Sequence, residues 1–195
     1  MAGAGSRTTR VVLHVDLDYF FAQCEERENP SLKGRPVVVC VYSARGGDSG
    51  AVSTANYLAR EHGVRAGVPI ALATRRLRGV DAAFLPVNRG LYEAVSRRVM
   101  AILRGHADRF EQVGIDEAYL DVTRRVDGDF ERAAELARRI KGEVSAEEGL
   151  TCSVGVGPNK LVAKMAAGSR KPDGLTVVTP EKVRDFLSPL PVGEL

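Results

Sequence analysis

The stretch VVLHVDLDYFF, residues 11–21, decides how the rest of the chain is read. Val11, Leu13, Val15 and Leu17 alternate with Val12, His14 and Asp16, the period-two pattern of a strand with one face in a core. The strand delivers an acid, Asp16, at its end, and the polar and aromatic residues Asp18-Tyr19-Phe20-Phe21 follow at once. A short helix through residues 25–28 is expected next, stopped by Asn29-Pro30. Asp18 suits either a further metal ligand or a cap for that helix, and the cap is the simpler role.

Outward from this strand, residues 36–42 (PVVVCVY) read as a buried strand and 43–50 (SARGGDSG) as a loop. Two short helical patterns follow near 54–62 and 70–78. From 88 to 106 the period changes: Leu91, Val95, Val99 and Ile102 recur at helical spacing, with Arg97, Arg98 and Arg104 outside. Residues 109–115 and 118–123 read as two strands joined tightly at Asp116-Glu117. Phe130, Ala134, Ala137, Ile140 and Val144 mark a second long helix that ends near Gly149. A strand at 151–156, a helix at 158–167, a short strand at 175–178 and a last helix at 180–187 complete the chain. With residues 20–86 set aside, the order is βαββαβ, the ferredoxin-like order. The expected fold class is therefore α+β, with 20–86 as an inserted small α/β unit.

In such a fold the first and central strands are neighbours, so Asp16, Asp116 and Glu117 can gather at one end of one sheet. Clustered carboxylates repel one another unless cations sit between them. Oxygen-only ligands with no His or Cys expected nearby suit magnesium or manganese rather than zinc. Two such ions can activate an attacking oxygen and steady a leaving one. The competing reading is that these acids are unrelated surface residues at strand ends and a turn. His14 reads as a packed or surface imidazole, and His62 and His106 carry no assigned role.

Composition sets the outer bounds. The chain has 195 residues, 44% hydrophobic and 27% charged, which excludes collagen-like and disordered classes. No apolar run approaches the ~20 residues that span a bilayer, and residues 1–10 lack the apolar core of a signal peptide and read as a frayed terminus. Cys24, Cys40 and Cys152 match no metal or redox spacing and suit reduced, buried thiols of a cytosolic protein. The net charge of +3 is unevenly spread. Residues 64–110 carry nine arginines against Asp81, Glu93 and Asp108, whereas 111–123 carry four acids and no Lys or Arg. Basic flanks around an acidic centre suit a polyanion held near carboxylate-bound cations, although Arg-rich helical surfaces alone would give the same count.

Five stretches, in order, carry a family resemblance: VVLHVDLDYFFAQCEERENPSLKGRPVVV, SGAVSTANYLAREHGVRAGVPI, GIDEAYLDVT, VGVGPNKLVAKMA and KPDGL. Together they resemble the Y-family DNA polymerases, and within them the DinB or polymerase IV branch, especially its archaeal members. The resemblance implies that Asp16, Asp116 and Glu117 are the catalytic metal ligands, with the Leu17 carbonyl as a further ligand. It implies two Mg2+ ions as cofactors, with Mn2+ as a substitute. Phe21 matches the steric gate that excludes a ribose 2′-hydroxyl, although a large ring beside Phe20 also suits core packing. Tyr19, Phe20, Phe21, Thr54, Tyr57, Arg60, Asp116 and Lys171 match residues at the incoming nucleotide, where Arg forks onto phosphate and Lys supplies a point charge. For Tyr57 and Arg60 the alternative is a shared helix face. Ala51, Ser53 and Gly67 fall where the family contacts the templating base, and small residues there leave room for damaged templates.

The same resemblance divides the chain into a palm (1–19 and 87–178), fingers (20–86) and the start of a thumb (179–195). It implies DNA-directed translesion synthesis in the cytoplasm, with primer-template DNA and dNTP as partners and no membrane. A sliding clamp is a further expected partner, through C-terminal parts that this chain lacks. Family members continue into a helix-hairpin-helix thumb and a little finger, so a chain ending at Leu195 reads as a palm-and-fingers portion or a naturally short protein. A rival reading is a module that binds metal-dNTP without efficient extension. A palm-type nucleotidyl cyclase is a third, opposed by the run around Phe21 and by Tyr57 and Arg60.

Overall fold

The computed structural model describes residues 9–44, 46–191 and 193. The expected frayed terminus up to Thr8, Arg45 in the 43–50 loop, and Val192, Glu194 and Leu195 at the chain end lie outside the described residues. In chain order the elements are β1 (Val12–Leu17), α1 (Phe20–Glu28), β2 (Val37–Tyr42), β3 (Gly50–Ala55), α2 (Tyr57–Glu61), α3 (Ile70–Arg76), β4 (Ala83–Pro86), α4 (Arg89–Gly105), β5 (Arg109–Gln112), β6 (Glu117–Asp121), α5 (Phe130–Glu148), β7 (Cys152–Gly157), α6 (Lys160–Gly168), β8 (Leu175–Val177) and α7 (Val183–Leu187). Short 3-10 turns occupy Pro30–Leu32 and Pro180–Lys182. The chain divides into two compact units, one of Met1–Asp18 with Ser96–Leu195 and one of Tyr19–Val95.

The first unit is built on a five-stranded sheet of order β5-β6-β1-β7-β8. β1 runs antiparallel to both β6 and β7, and β8 adds parallel to β7. Its first four strands have the ferredoxin-like order expected from βαββαβ. Alternation along β1 separates two faces. Leu13, Val15 and Leu17 lie on one face with Ala118, Leu120, Val154 and Val156, all buried. His14 and Asp16 lie on the other, directly opposite Tyr119 and Glu117 on β6 and Gly155 and Ser153 on β7. Asp129 caps α5, accepting from the amides of Glu131 and Arg132, and Gly149 ends it with a φ of 65°. Arg98 on α4 forks onto Glu148 of α5 at 2.6 and 2.8 Å.

α6 packs close to β7 because Gly155 is bare. A Cβ there would lie 2.0 Å from the Ala163 carbonyl oxygen and 2.3 Å from the Ala167 nitrogen. Asn159 caps α6, so the helix starts at Lys160, with Pro158 outside it. The last expected helix is a 3-10 turn followed by the five-residue α7.

The second unit holds a three-stranded sheet of order β3-β2-β4. Val38, Cys40, Val52, Ala55, Ala59, Val64, Ile70, Ala73 and Leu77 form its core. Two of its strands escaped the sequence reading. β3 takes Thr54 and Ala55 out of the helix expected at 54–62, because Val38 and Val39 pair with them across the ladder. Only Tyr57–Glu61 is helical there, and Asn56 caps it. The short β4 pairs in parallel with β2, a register that sequence period alone does not reveal. α1 begins at Phe20, five residues earlier than expected.

Candidate active site

β1 and β6 bring the expected acids together. Asp16 and Glu117 are register partners on adjacent strands. Asp116 precedes Glu117 at the mouth of the β5–β6 hairpin, and its carbonyl accepts from the Leu17 amide at 2.9 Å. The tight turn therefore sets two successive acids against the end of β1. One ligand atom each from His14, Asp16 and Glu117 can be chosen within 4.8 Å of one another.

The charges here are under tension. Burial pushes the Asp116 carboxyl above the usual carboxylate range, and the neighbouring Asp16 charge pushes it further. Two lysines answer the other acids. Lys171 Nζ lies 2.5 Å from Asp16 Oδ1, and Lys164 Nζ on α6 lies 2.9 Å from Glu117 Oε2. Desolvation works against ionised Glu117, but the Lys164 hydrogen bond and charge, with His14, hold its carboxyl below the usual range. The Glu117 bond raises the Lys164 ammonium in turn.

His14 is fully buried, its Nε2 3.1 Å from Glu117 Oε2 and its ring 4.6 Å from that of Tyr119. Desolvation lowers its pKa against the pull of Asp16 and Glu117. It is a packed imidazole, as expected, but one that touches an acid of the cluster. The acids suit a hard divalent cation, although the imidazole of His14, against the expectation of no histidine nearby, lies among them: carboxylates of Asp16 and Glu117 gather with it, Asp116 adjoins Glu117, and two of the acids already draw ammonium groups in a cation's place.

Other site candidates lie in the second unit. Tyr19 stands at the N-terminus of α1 with a left-handed φ of 33°. Its hydroxyl donates to Glu26 at 3.3 Å, and its ring meets Tyr57 edge-on at 5.5 Å. The Arg60 guanidinium lies 4.7 Å from the centre of the Tyr57 ring and donates from Nε to the Ala55 carbonyl at 2.8 Å. Tyr19, Tyr57 and Arg60 thus form one group. Behind them, Asn56 donates to Glu26 at 2.8 Å and to the Arg35 carbonyl at 2.8 Å, and its Oδ1 accepts from the amides of Val37 and Ala59. Phe20 is buried, whereas Phe21 is half-buried and stacks on Tyr92 at 4.2 Å and 10°. Ala51, Ser53 and Thr54 lie on β3, where Ala51 also bridges to Pro69, and Gly67 has a φ of 84°.

Asp18 does not cap α1. The N-cap is Tyr19, and no side chain caps the helix. Asp18 is instead buried within the first unit, accepting from Thr151 Oγ1, Ser153 Oγ and the Asp173 amide. These partners lie more than 130 residues away in sequence, so no local pattern reveals them. Asn56 and Glu26 were missed for a related reason: each looks like an ordinary polar helix residue. The three cysteines are buried and free, and burial pushes the Cys152 thiol up to about 12.

Residues 15–168 match the impB/mucB/samB family, so the chain belongs to that family, the Y-family polymerase domain its motifs resemble. Among its relatives, a DNA polymerase IV of Metallosphaera sedula is 57% identical over 95% of this chain and 52% of its own length. Another, of Nitrosopumilus maritimus, is 52% identical over 96% of this chain and 52% of its own length. Among solved structures, an insertion ternary complex of Dbh DNA polymerase superposes with a TM-score of 0.90 at 52% identity, over 95% of this chain and 53% of that one. DinB from Sulfolobus solfataricus matches with a TM-score of 0.89 at 51% identity, over 95% of this chain and 53% of that one. This chain spans about half the length of the curated relatives it matches. Among the described residues, no helix is long and apolar enough to cross a membrane.

Proposed function

We propose that this chain is the catalytic portion of a cytoplasmic DNA-directed DNA polymerase that copies damaged templates, joining dNTP to a primer 3′-hydroxyl. The observation that carries the reading is the register of β1 against β6. It sets Asp16 opposite Glu117, beside Asp116, at one end of one sheet. We assign 1–19 and 87–178 to the palm, 20–86 to the fingers and 179–195 to the start of a thumb, a division that the two compact units, one of Met1–Asp18 with Ser96–Leu195 and one of Tyr19–Val95, support in outline.

Asp16, Asp116, Glu117 and the Leu17 carbonyl would hold two Mg2+ ions, or Mn2+ in their place. When bound, such ions favour the ionised primer oxygen and neutralise charge on the phosphates. The residues themselves have distinct tasks. Asp116, raised by burial and by its acidic neighbours, would ionise more readily with a cation held beside it. With a divalent cation held at Asp16, Lys171 would be released from that carboxylate and its ammonium would be free for phosphate. Arg60 and the hydroxyls of Tyr19, Thr54 and Tyr57 supply further donors to the triphosphate. Phe20 and Phe21 bound the sugar, with Phe21 as the gate. Ala51, Ser53 and Gly67 leave space around the templating base.

The test is primer extension on an undamaged primer-template at low salt with Mg2+ or Mn2+, with Asp116→Ala alongside. Extension lost in the variant supports the reading. Equal extension by both proteins would overturn it. A second reading, a metal-dNTP-binding portion without efficient extension, is favoured by the half-length match to the relatives. Nucleotide binding without extension by the parent chain would select it. Contact with a sliding clamp is assigned to parts of the relatives beyond the matched half.

A further inference from the structure

The loop between α6 and β8 carries Lys171, and two residues outside the catalytic set hold it. Asp18 is fully buried at the end of β1, and its Oδ2 accepts from the Asp173 amide at 2.8 Å and from Thr151 Oγ1 at 2.9 Å. Its Oδ1 accepts from Ser153 Oγ at 2.8 Å, and that hydroxyl in turn accepts from the Gly174 amide at 3.2 Å. Lys141 reaches the same loop from α5. Its Nζ donates to the Asp173 carbonyl at 2.8 Å, to Asp173 Oδ1 at 2.5 Å and to the Cys152 carbonyl at 2.6 Å.

The loop needs such a grip. Asp173 has a φ of 55°, a region that non-glycine residues rarely occupy. Gly174 is so tightly folded that a Cβ would lie 2.1 Å from the Arg170 carbonyl oxygen. A strained turn persists only when its surroundings over-determine it. Here a buried carboxylate takes the amide of Asp173 and a lysine takes its carbonyl.

We infer that Asp18 and Lys141 are positioning residues, which clamp the 170–174 loop so that Lys171 is presented at a fixed height beside Asp16 to the phosphates of the incoming nucleotide. This rests on the nucleotide reading of Lys171. Neither residue touches nucleotide in this account; both act through the loop backbone.

Two measurements test it on the full chain: amide hydrogen exchange at Asp173 and Gly174, and calorimetric binding of Mg2+ with a non-hydrolysable dNTP analogue. Asp18→Ala and Lys141→Met are expected to speed exchange at both amides. Each should also weaken nucleotide binding by roughly tenfold, the scale of one charge-assisted hydrogen bond. Lys171→Ala should weaken binding equally without speeding exchange. Adding Asp18→Ala to Lys171→Ala should weaken it no further, because the clamp then has nothing to present. Asp18→Asn keeps an oxygen in the place of Oδ2 and should restore both readouts. Should Asp18→Ala not fold, Lys141→Met carries the same expectations. Parent-like exchange in the folded clamp variants, or additive losses in the double variant, would overturn the inference. Parent-like nucleotide binding by Lys171→Ala would instead sink the nucleotide reading of the loop, even if the clamp variants loosen it.

Discussion

The clustered acids Asp16, Asp116 and Glu117 of the first unit and the buried Glu26 of the second are held by opposite rules. Glu26 is set among neutral donors, held at 2.8 Å by Asn56 Nδ2 on its capped helix and more loosely, at 3.3 Å, by the Tyr19 hydroxyl. Burial lifts its carboxyl above the usual range, while those bonds pull it back. Asp16 and Glu117 are answered by lysines, and Asp116 is left among like charges. Lysine is a long, flexible point charge that can leave; an amide on a capped helix cannot. A polar node satisfied by short, fixed partners stabilises the fold. A cluster answered by movable cations is one whose charge is meant for something else. Local inconsistency of this kind concentrates at functional sites.

The sharpest way to break this contrast is to delete an acid. Asp116→Ala or Glu117→Ala is expected to lower primer extension by roughly a thousandfold or more, with no fall in melting temperature for Asp116→Ala. A large loss of stability in Asp116→Ala would mean that the cluster is structural, like Glu26. The next effect belongs to the second unit's proposed gate. Phe21→Ala should lower discrimination against ribonucleotides by roughly 100-fold, read as the ratio of kcat/KM for dNTP and NTP. Unchanged discrimination would leave Phe21 as a packing partner of Tyr92.

Asn56→Ala tests the satisfied node. It strips partners from two amides, from the Arg35 carbonyl and from Glu26. The expected cost is about 3 kcal/mol in urea unfolding. A cost near zero would remove the node from the stability of the unit.

The smallest effect is a pH dependence in the absence of divalent cations. Asp116 has a folded pKa above its unfolded one. As pH rises past the unfolded value, the unfolded chain gives up this proton first, so stability falls until the folded value is passed. Asp121 runs the other way. Desolvation works against it, but bonds from Thr123 and Arg10 hold its carboxyl low, so its contribution is present above the unfolded value and fades as pH falls through the folded one. Asp116→Asn should therefore flatten the loss on the rising side and leave the acid side intact. Urea midpoints across the carboxylate range, with chelator present, would read both slopes. An unchanged rising side in Asp116→Asn would place that loss on another group.

Much of the fold was legible because period and caps are local. The alternation of 11–17 and the helical stripes around Val99 and Ile140 became β1, α4 and α5, and the hairpin expected about Asp116-Glu117 became β5–β6, although β5 ends at Gln112, the turn falls at 113–116 and Glu117 opens β6 instead of lying in the turn. Strand order followed from topology, since a βαββαβ chain leaves few ways to set its central strands. What was misread depended on distant partners. β3 and β4 are short and take their strand character from pairing with β2. Asp18 has the sequence context of a helix cap, but it is fully buried and meets three donors from distant residues.

By itself the sequence determined the element types of the first unit's sheet and long helices, the meeting of β1 with the central hairpin and the family to which the chain belongs. Each rests on a periodicity or a collinear motif that a linear string carries in full. Only the tertiary structure decided which cation answers each acid, that Asn56 and Glu26 support the Tyr19, Tyr57 and Arg60 group, and that Asp18 grips the Lys171 loop. Those outcomes turn on contacts of a few ångströms between residues far apart in the chain, set by strand register and by how closely helices such as α6 can approach a bare glycine.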